Sequence, residues 1–285
     1  MRGAFRAART GLVLTAAVTG LVTGCGADGE DVVVTGTPPV TPYRGPLHVP
    51  ARNLDEDSQR AVRIESGAAG RALECEGEIF SGGPGERWSE GDGGDTPEEG
   101  LEAYFDIEQP DVPRHGYRVE REEGDRVLFS LDVDGRTKVA VVVAKDRPNA
   151  PGWGPETSAA CDPSELPDSY LASRPYTLWT DSTGHRLPYT EIHSYSGPSH
   201  CDWQSADFIA LADATYARDP DKVLPEGTLT APYARHTTLP TDARPLGYHQ
   251  TDHTLWHTTD PTYLYVRSPD GVEAWPRVSE DFGCR

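Results

Sequence analysis

The first 25 residues of the chain determine the compartment in which the rest must fold. Three arginines, at positions 2, 6 and 9, precede an apolar run from Gly11 to Val22, which leads through two small residues to Cys25. This order is typical of a secretory signal, so residues 1–24 are predicted to be removed on export. The apolar run has about a dozen residues, short of the ~20 that span a bilayer as a helix. The mature chain is therefore expected to fold in an oxidising environment.

The four residues Val22-Thr23-Gly24-Cys25 resemble the lipobox of bacterial lipoproteins. In that family the cysteine becomes the first mature residue and carries fatty acyl chains such as palmitate. The resemblance implies lipidation of Cys25 and anchoring on the outer face of the cytoplasmic membrane. Two or three acyl chains, at ~0.8 kcal/mol per buried CH₂, hold a protein durably at a membrane. The alternative is an ordinary secreted protein that is cleaved nearby, with Cys25 as a stray thiol.

Lipidation of Cys25 leaves an even set of four cysteines, Cys75, Cys161, Cys201 and Cys284. In an exported chain such a set predicts two disulfides. Four cysteines permit three pairings. We favour Cys75 with Cys161 and Cys201 with Cys284, because a proline-rich break near residue 165 separates the two pairs. A metal site is the alternative, but no two of these cysteines have the C-x-x-C spacing of zinc motifs.

The composition is strongly acidic. The chain has 26 basic and 46 acidic residues, and loss of residues 1–24, with three arginines and no acids, gives the mature chain a net charge of −23. Nucleic acid and anionic lipid attract patches of Lys and Arg, so neither is predicted as an electrostatic partner. Membrane attachment would then depend on the lipid at Cys25.

Composition divides the mature chain into three parts. Residues 25–59 contain five prolines and no sustained apolar period, and are predicted to form a lipidated N-terminus and a disordered stalk. The remainder is predicted to be α+β, with two small, mainly antiparallel-sheet domains, at residues 60–166 and 170–285. Each is expected to contain one main helix and one disulfide.

The first predicted domain contains a clear helix start. Thr96-Pro97-Glu98-Glu99 has capping-box spacing with proline at the first helical position. Three apolar segments follow at residues 117–120, 126–133 and 138–144, and the glycine-containing breaks between them predict an antiparallel meander. A helix followed by a curved meander resembles the cystatin-like or nuclear-transport-factor-like layout.

The second predicted domain begins with a hairpin that turns at residues 181–184. A helix is predicted from Asp202 to about Ala214, and strands at residues 255–258 and 263–266, with a last turn at residues 269–271. The fragments GPSHCDWQ (197–204) and EAWP (273–276) resemble a domain found in uncharacterised lipoproteins of high-GC Gram-positive bacteria. That resemblance covers about the last 110 residues and implies no activity.

Histidines are concentrated in the second predicted domain, where His249, His253 and His257 are spaced four residues apart. On a helix this spacing would stack them for metal ligation. The surrounding Thr, Tyr and Trp residues favour a strand instead, on which His253 and His257 would lie ~13 Å apart. We therefore predict surface histidines and no metal site.

Two further patterns contain side chains that could take part in metal binding or catalysis. Acidic residues in the glycine-rich loop 90–95 lack EF-hand spacing, so we predict a solvated loop that leads into the helix rather than a calcium site. His200 and Cys201 are adjacent, but neighbours on a strand point to opposite sides. The common serine and metallo-hydrolase motifs are missing from the sequence.

These observations predict a membrane-anchored extracytoplasmic protein that binds a protein, a wall polymer or a small ligand without catalysis and without a cofactor. Candidate recognition residues are the tryptophans at positions 179, 203, 256 and 275, although such tryptophans are more often core. The alternative is an extracytoplasmic hydrolase with a dispersed Ser/His/acid site in residues 170–285. A solute-binding protein with paired α/β lobes is disfavoured because βαβ alternation is missing.

Overall fold

The apolar run at residues 138–144 lies in the middle of a six-stranded sheet. In the computed structural model, which describes residues 32–35, 39–50, 52, 54, 56, 58–85, 88–89 and 91–279, this first sheet is built from β1 (Val33–Val34), β2 (Ile79–Pro84), β3 (His115–Glu123), β4 (Arg126–Val133), β5 (Arg136–Arg147) and β6 (Ala150–Cys161). The strand order is β1-β3-β4-β5-β6-β2. All neighbours are antiparallel except β1 and β3, which are parallel. The predicted meander is confirmed as β3, β4 and β5.

Both faces of the first sheet are buried. On β5, Val139, Val141 and Val143 pack into one core cluster, whereas Ala140 and Val142 pack into another on the opposite face. Successive side chains of a strand point to opposite faces, so a strand covered on both sides needs an uninterrupted apolar sequence. This explains why the segment lacks the alternation of a half-exposed strand.

One face of the sheet is covered by the predicted helix, α3 (Pro97–Glu108), which places Leu101 and Phe105 in the core. Its capping box is present: the Glu99 backbone N–H donates to the Thr96 hydroxyl over 3.2 Å, and the Glu99 carboxylate accepts from the Thr96 N–H, also over 3.2 Å. The sequence prediction of this helix start is confirmed.

The opposite face is covered by two short helices, α1 (Gln59–Glu65) and α2 (Gly67–Ala72), and by residues 39–50. The prediction of a disordered stalk over residues 25–59 is therefore wrong for this segment. Leu47 is 1% exposed, and the Tyr43 backbone N–H donates to a Glu120 carboxylate oxygen over 2.6 Å. The burial of Leu47 and the carboxylate acceptors on the sheet offset the entropy cost of ordering this proline-rich segment.

Truncation of Leu47 tests this docking. Leu47→Ala should lower the free energy of unfolding by about 2–5 kcal/mol, because a fully buried leucine is lost together with its packing contacts. Val40→Ala is the matched control: Val40 is 92% exposed, and its truncation should change stability by less than about 0.5 kcal/mol. Urea unfolding of both variants measures the difference. Equal stabilities would show that residues 39–50 do not hold to the sheet.

The predicted disulfide between Cys75 and Cys161 is confirmed. Cys75 follows α2 and Cys161 ends β6, and their Cα atoms lie 5.3 Å apart. Beside the bond, the Lys138 ammonium donates to a Glu165 carboxylate oxygen over 2.5 Å. The disulfide connects the segment after α2 to the sheet, and the Lys138 ammonium also donates to the Glu74 carbonyl oxygen of that segment over 3.0 Å.

The rest of the described chain, after α4 (Asp168–Leu171), contains two more antiparallel sheets. The second sheet has the order β10-β9-β8-β7 and the third the order β11-β15-β14-β13-β12. The strands are β7 (Tyr176–Leu178), β8 (Ile192–Ser196), β9 (Asp207–Leu211), β10 (Ala214–Arg218), β11 (Ala234–Thr237), β12 (Arg244–Gln250), β13 (His253–His257), β14 (Tyr263–Ser268) and β15 (Gly271–Pro276). The strands predicted near residues 255 and 263 and the turn before residue 271 are confirmed.

The helix predicted from Asp202 to about Ala214 is wrong, because this region forms the β9–β10 hairpin. Phe208 packs into one core cluster and Ile209 into a different one. A strand that is buried on both faces has consecutive apolar residues, and a short run of this kind cannot be distinguished from a buried helix by periodicity. The second predicted domain therefore contains no main helix among its described residues.

The hairpin predicted at residues 176–189 is correct only in its turn. Thr180 and Arg186 form an isolated bridge around the turn at residues 181–184, but β7 pairs with β8, which lies further along the chain.

The second and third sheets are linked at two places. Thr180 and His249 exchange two backbone hydrogen bonds of 2.8 Å, and on the other side Tyr216 bridges Arg277. The two sheets thus wrap around a shared core, which includes Trp179, Ile192, Ile209, Tyr216, Leu255, Leu264, Val266 and Trp275. This barrel of two sheets contains a cavity.

A row of aromatic rings runs from the first sheet to the second. Phe80 on β2 meets Tyr189 edge-on, with 4.8 Å between ring centroids, and Tyr189 stacks on His193 at 3.7 Å. Tyr195 and Phe208 continue the row. Burial lowers the pKa of His193 below its ordinary value.

All described residues belong to one compact unit, and the proposed division near residue 166 stays a prediction.

Candidate functional site

A cavity of the described structure lies between the second and third sheets. Its volume is about 550 Å³, within the range of small-molecule sites. Four buried side chains line it, two from each sheet region: Trp179, Ile209, Val266 and Trp275. Polar groups from β8, β9, β10, β12 and β15 complete the wall. These strands surround one cavity because the two sheets close onto each other.

Three charged residues of the wall form one group. Arg218 on β10 donates through Nε to a Glu273 carboxylate oxygen over 3.1 Å and through Nη1 to an Asp207 oxygen over 3.3 Å. The Arg218 and Glu273 side chains are 27% and 22% exposed. Burial lowers the pKa of Arg218, but the attraction of Glu273 and Asp207, with that of a neighbouring tyrosine, outweighs this and raises the pKa overall. One cation is therefore shared by two carboxylates.

Two aromatic side chains adjoin this charged group. The Trp275 indole N–H donates to a Glu273 carboxylate oxygen over 2.8 Å. Burial, followed by the charge of Glu273, raises the pKa of Tyr233 to about 12, so its hydroxyl is protonated at neutral pH. Glu273 thus accepts from both Arg218 and Trp275.

The indole N–H of Trp179 has no hydrogen-bond acceptor among the described residues, although Trp179 is only 1% exposed. A buried donor left without a partner costs about 1–3 kcal/mol. Trp179 lines the cavity, but its indole nitrogen is itself buried, so this N–H is not offered to a ligand there.

The cavity also gathers the residue types that a hydrolase would use. Ser194 accepts from the Gln250 side chain over 3.0 Å, and the Ser196 hydroxyl donates to Asp207 over 3.3 Å. His236 and His253 are exposed at its edge. In the described part of the chain, no serine hydroxyl is hydrogen-bonded to a histidine ring, so the arrangement does not supply an activated serine.

The three evenly spaced histidines lie on strands, as predicted. His249 is on β12, and His253 and His257 lie on β13. Within the described residues, one group of three has metal-ligating atoms within mutual reach: Cys75, Cys161 and Glu165. The two sulfurs of that group are joined in the disulfide.

His185 makes a local contact that superficially resembles a catalytic pair. Its Nδ1 atom lies 2.8 Å from the Thr183 hydroxyl, which also approaches Asp181 to 2.7 Å. Asp181 additionally accepts the backbone N–H groups of both residues. These contacts close an exposed turn.

Several sequence-predicted site residues lie elsewhere. Cys25 and Cys284 fall outside the described residues, as does the whole predicted signal. Cys201 is disulfide-bonded, whereas its pairing with Cys284 stays a prediction. In the acidic loop before α3, Asp92 and Asp95 are exposed, as predicted for a solvated loop.

The tryptophans divide between core and cavity. Trp179, Trp203 and Trp275 are at most 7% exposed, which confirms the core interpretation for these three. Trp179 and Trp275 also face the cavity, whereas Trp256 is half-buried and donates to Thr254 over 3.3 Å.

The charged group was missed by sequence reasoning. Arg218 and Glu273 are 55 residues apart and lie on different sheets, and neither belongs to a motif. Only the three-dimensional closure of the barrel brings them together.

In the part of the chain that the structure describes, none of the helices combines the length and apolar character needed to cross a bilayer. Comparison of the chain with protein-family models, with curated proteins and with solved structures finds no match.

Proposed function

We propose that the protein is a lipid-anchored extracytoplasmic binding protein and that the cavity between the second and third sheets is its ligand site. The observation that carries the proposal is a cavity of about 550 Å³ whose wall includes the charged group of Arg218, Asp207 and Glu273. Concave, largely preformed cavities with a few placed polar groups are the usual form of small-molecule sites.

Export and anchoring are supported by the N-terminal sequence and by the disulfide chemistry. The cationic start, the apolar run and the Val22–Cys25 motif have the order of a lipoprotein signal. The disulfide between Cys75 and Cys161 is compatible with folding in an oxidising compartment. The acidic composition opposes electrostatic adhesion to anionic lipid, which leaves acyl chains as the means of attachment.

A binding role is favoured over the hydrolase alternative by the partners of the cavity serines. Ser194 is bound to Gln250, and Ser196 to Asp207. Neither serine is hydrogen-bonded to a histidine base in the described structure.

Replacement of Cys25 tests the anchor. In a Gram-positive host that makes lipoproteins, the wild-type protein should incorporate labelled palmitate and remain in the membrane fraction, whereas Cys25→Ala should lose the label and the membrane retention, because no acyl acceptor remains. Thr23→Ala keeps a small residue before the cysteine and should behave as wild type. Fractionation with immunoblotting measures retention.

Intact-mass analysis of the membrane-extracted protein completes this test. An acylated N-terminus at residue 25 is expected, and reduction should add the mass of four hydrogens if two disulfides are present. A full-length, unmodified protein in the cytosol would contradict the proposal.

A further inference from the structure

We infer that the β1 edge of the first sheet is the surface of the protein that faces the membrane, and that this edge is held within about 25 Å of the anchored residue. This inference rests on the proposed lipid anchor at Cys25 and goes beyond it by orienting the folded chain on the bilayer. It follows from the docking of β1, from the number of residues that precede it, and from the order of the strands.

The chain joins the first sheet a few residues after Cys25. Two backbone hydrogen bonds of 3.0 and 2.9 Å hold β1 against β3 and the residue before it, and they are donated by the N–H groups of Val33 and Thr35. The side chains of Val32 and Val34 pack against the core cluster that α3 covers. The start of the described chain is therefore fixed to the edge of the sheet.

The length of chain before β1 limits how far this edge can lie from the anchor. Seven residue steps separate Cys25 from Val32. Whatever conformation these residues take, a chain of that length spans at most about 25 Å. A free stalk that extended to residue 59 would span up to about 120 Å. The docking of β1 therefore confines the edge of the first sheet to the layer next to the bilayer.

The strand order places the barrel away from this edge. β1 and β2 are the two edges of the six-stranded order, and five strand spacings of about 4.8 Å put them about 24 Å apart. Phe80 on β2 meets Tyr189 of the barrel region with 4.8 Å between ring centroids. The mature chain has a net charge of −23, so anionic lipid repels it. The barrel and its cavity should therefore point away from the bilayer.

Energy transfer between the protein and a labelled bilayer tests the inference. The lipoprotein is extracted from host membranes and reconstituted in vesicles of phosphatidylcholine and phosphatidylglycerol that contain an acceptor-labelled lipid. A donor dye is attached either to His115→Cys, at the position paired with Val33, or to Asp242→Cys in the barrel region. Both positions are exposed. Transfer should be at least about twofold more efficient from residue 115, because the width of the sheet separates the two parts of the chain.

Two double variants test whether β1 sets the distance. Val33→Pro/Thr35→Pro removes both N–H donors that hold β1. The free tether would then extend to the segment that begins at residue 39, with a limit of about 50 Å, so transfer from residue 115 should fall at least about twofold. Val33→Ala/Thr35→Ala keeps both donors and truncates exposed side chains, and should match the wild type. Thermal melts establish that each variant is folded.

The outcomes separate this inference from the proposed function. Co-flotation with the vesicles reports the anchor, so a wild-type protein that does not float overturns the proposed anchoring and the inference together. If the protein floats but residue 115 transfers no more efficiently than residue 242, the anchor stands and the inference is overturned. Equal transfer in the proline and alanine variants also overturns it.

Discussion

Replacing Cys75 and Cys161 together with alanine should lower the free energy of unfolding by about 4–5 kcal/mol. The disulfide joins residues that are 86 apart in the sequence, and a cross-link over so long a loop removes much conformational freedom from the unfolded chain. Domains are commonly stable by about 5–15 kcal/mol in total, so the variant should be close to the limit of folding. Urea unfolding under non-reducing conditions measures the loss.

Non-reducing conditions provide the control for this variant. They preserve the second disulfide, which includes Cys201, in both the variant and the wild type, so the difference reports the Cys75–Cys161 bond. A loss smaller than about 1 kcal/mol would contradict the prediction and would indicate that the unfolded chain is already compact around these positions.

Replacing Glu165 with glutamine should destabilise the fold by about 3–5 kcal/mol, because the buried Lys138 ammonium would lose its counter-charge. The two side chains are 11% and 5% exposed, and the Lys138 Nζ atom lies 2.5 Å from a Glu165 oxygen. Glu165 also accepts the backbone N–H groups of Glu76 at 2.8 Å and Gly77 at 3.1 Å. Chemical denaturation of the variant measures the effect.

Two further variants distinguish the buried pair from a surface pair. Glu56→Gln breaks the exposed ion pair with Arg60, whose side chain is 74% exposed, and should cost no more than about 0.5 kcal/mol. The double variant Lys138→Met/Glu165→Leu removes both charges and should recover most of the stability lost in Glu165→Gln. If Glu165→Gln is no more costly than Glu56→Gln, the buried pair does not stabilise the fold as argued.

The same carboxylate gives stability a pH dependence. Burial raises the pKa of Glu165, but the hydrogen bonds from Lys138 and from the backbone of Glu76 and Gly77 outweigh it, so the folded-state pKa lies below its ordinary value of 4.5. A carboxyl with a depressed pKa contributes stability that is fully present above its unfolded-state pKa and is lost as the pH falls through its folded-state pKa. The free energy of unfolding should therefore decrease as the pH is lowered below about 5. This decrease should be less steep in Glu165→Gln.

The elements that were predicted correctly are those with strong local signals. The capping box at Thr96 and the hairpin breaks between β3, β4 and β5 depend on a few neighbouring residues. The hairpin at residues 207–218 was mistaken for a helix because both of its faces are buried, so the period of two is hidden. The docking of residues 39–50 was missed because it depends on Leu47 and on contacts with a distant strand rather than on local pattern.

The candidate site was less accessible to sequence reasoning. The two carboxylates that share Arg218 come from β9 and β15, and no local pattern relates them. Trp179 and Trp275 were noted from sequence as a recognition surface or core, and the structure gives them both a core position and a cavity face. That assignment required the closure of the second and third sheets.

The double hydrogen bond between Thr180 and His249 limits the pairing of two strand edges with a neighbouring copy of the chain. Unpaired edge strands are templates for pairing with another chain, and this contact occupies backbone groups of β12 and of the residues after β7. In the lipid-anchored state that we propose, neighbouring copies would lie close together at the membrane surface. With these edges bonded to each other, fewer backbone donors and acceptors are open to a neighbouring copy, which disfavours strand-mediated aggregation.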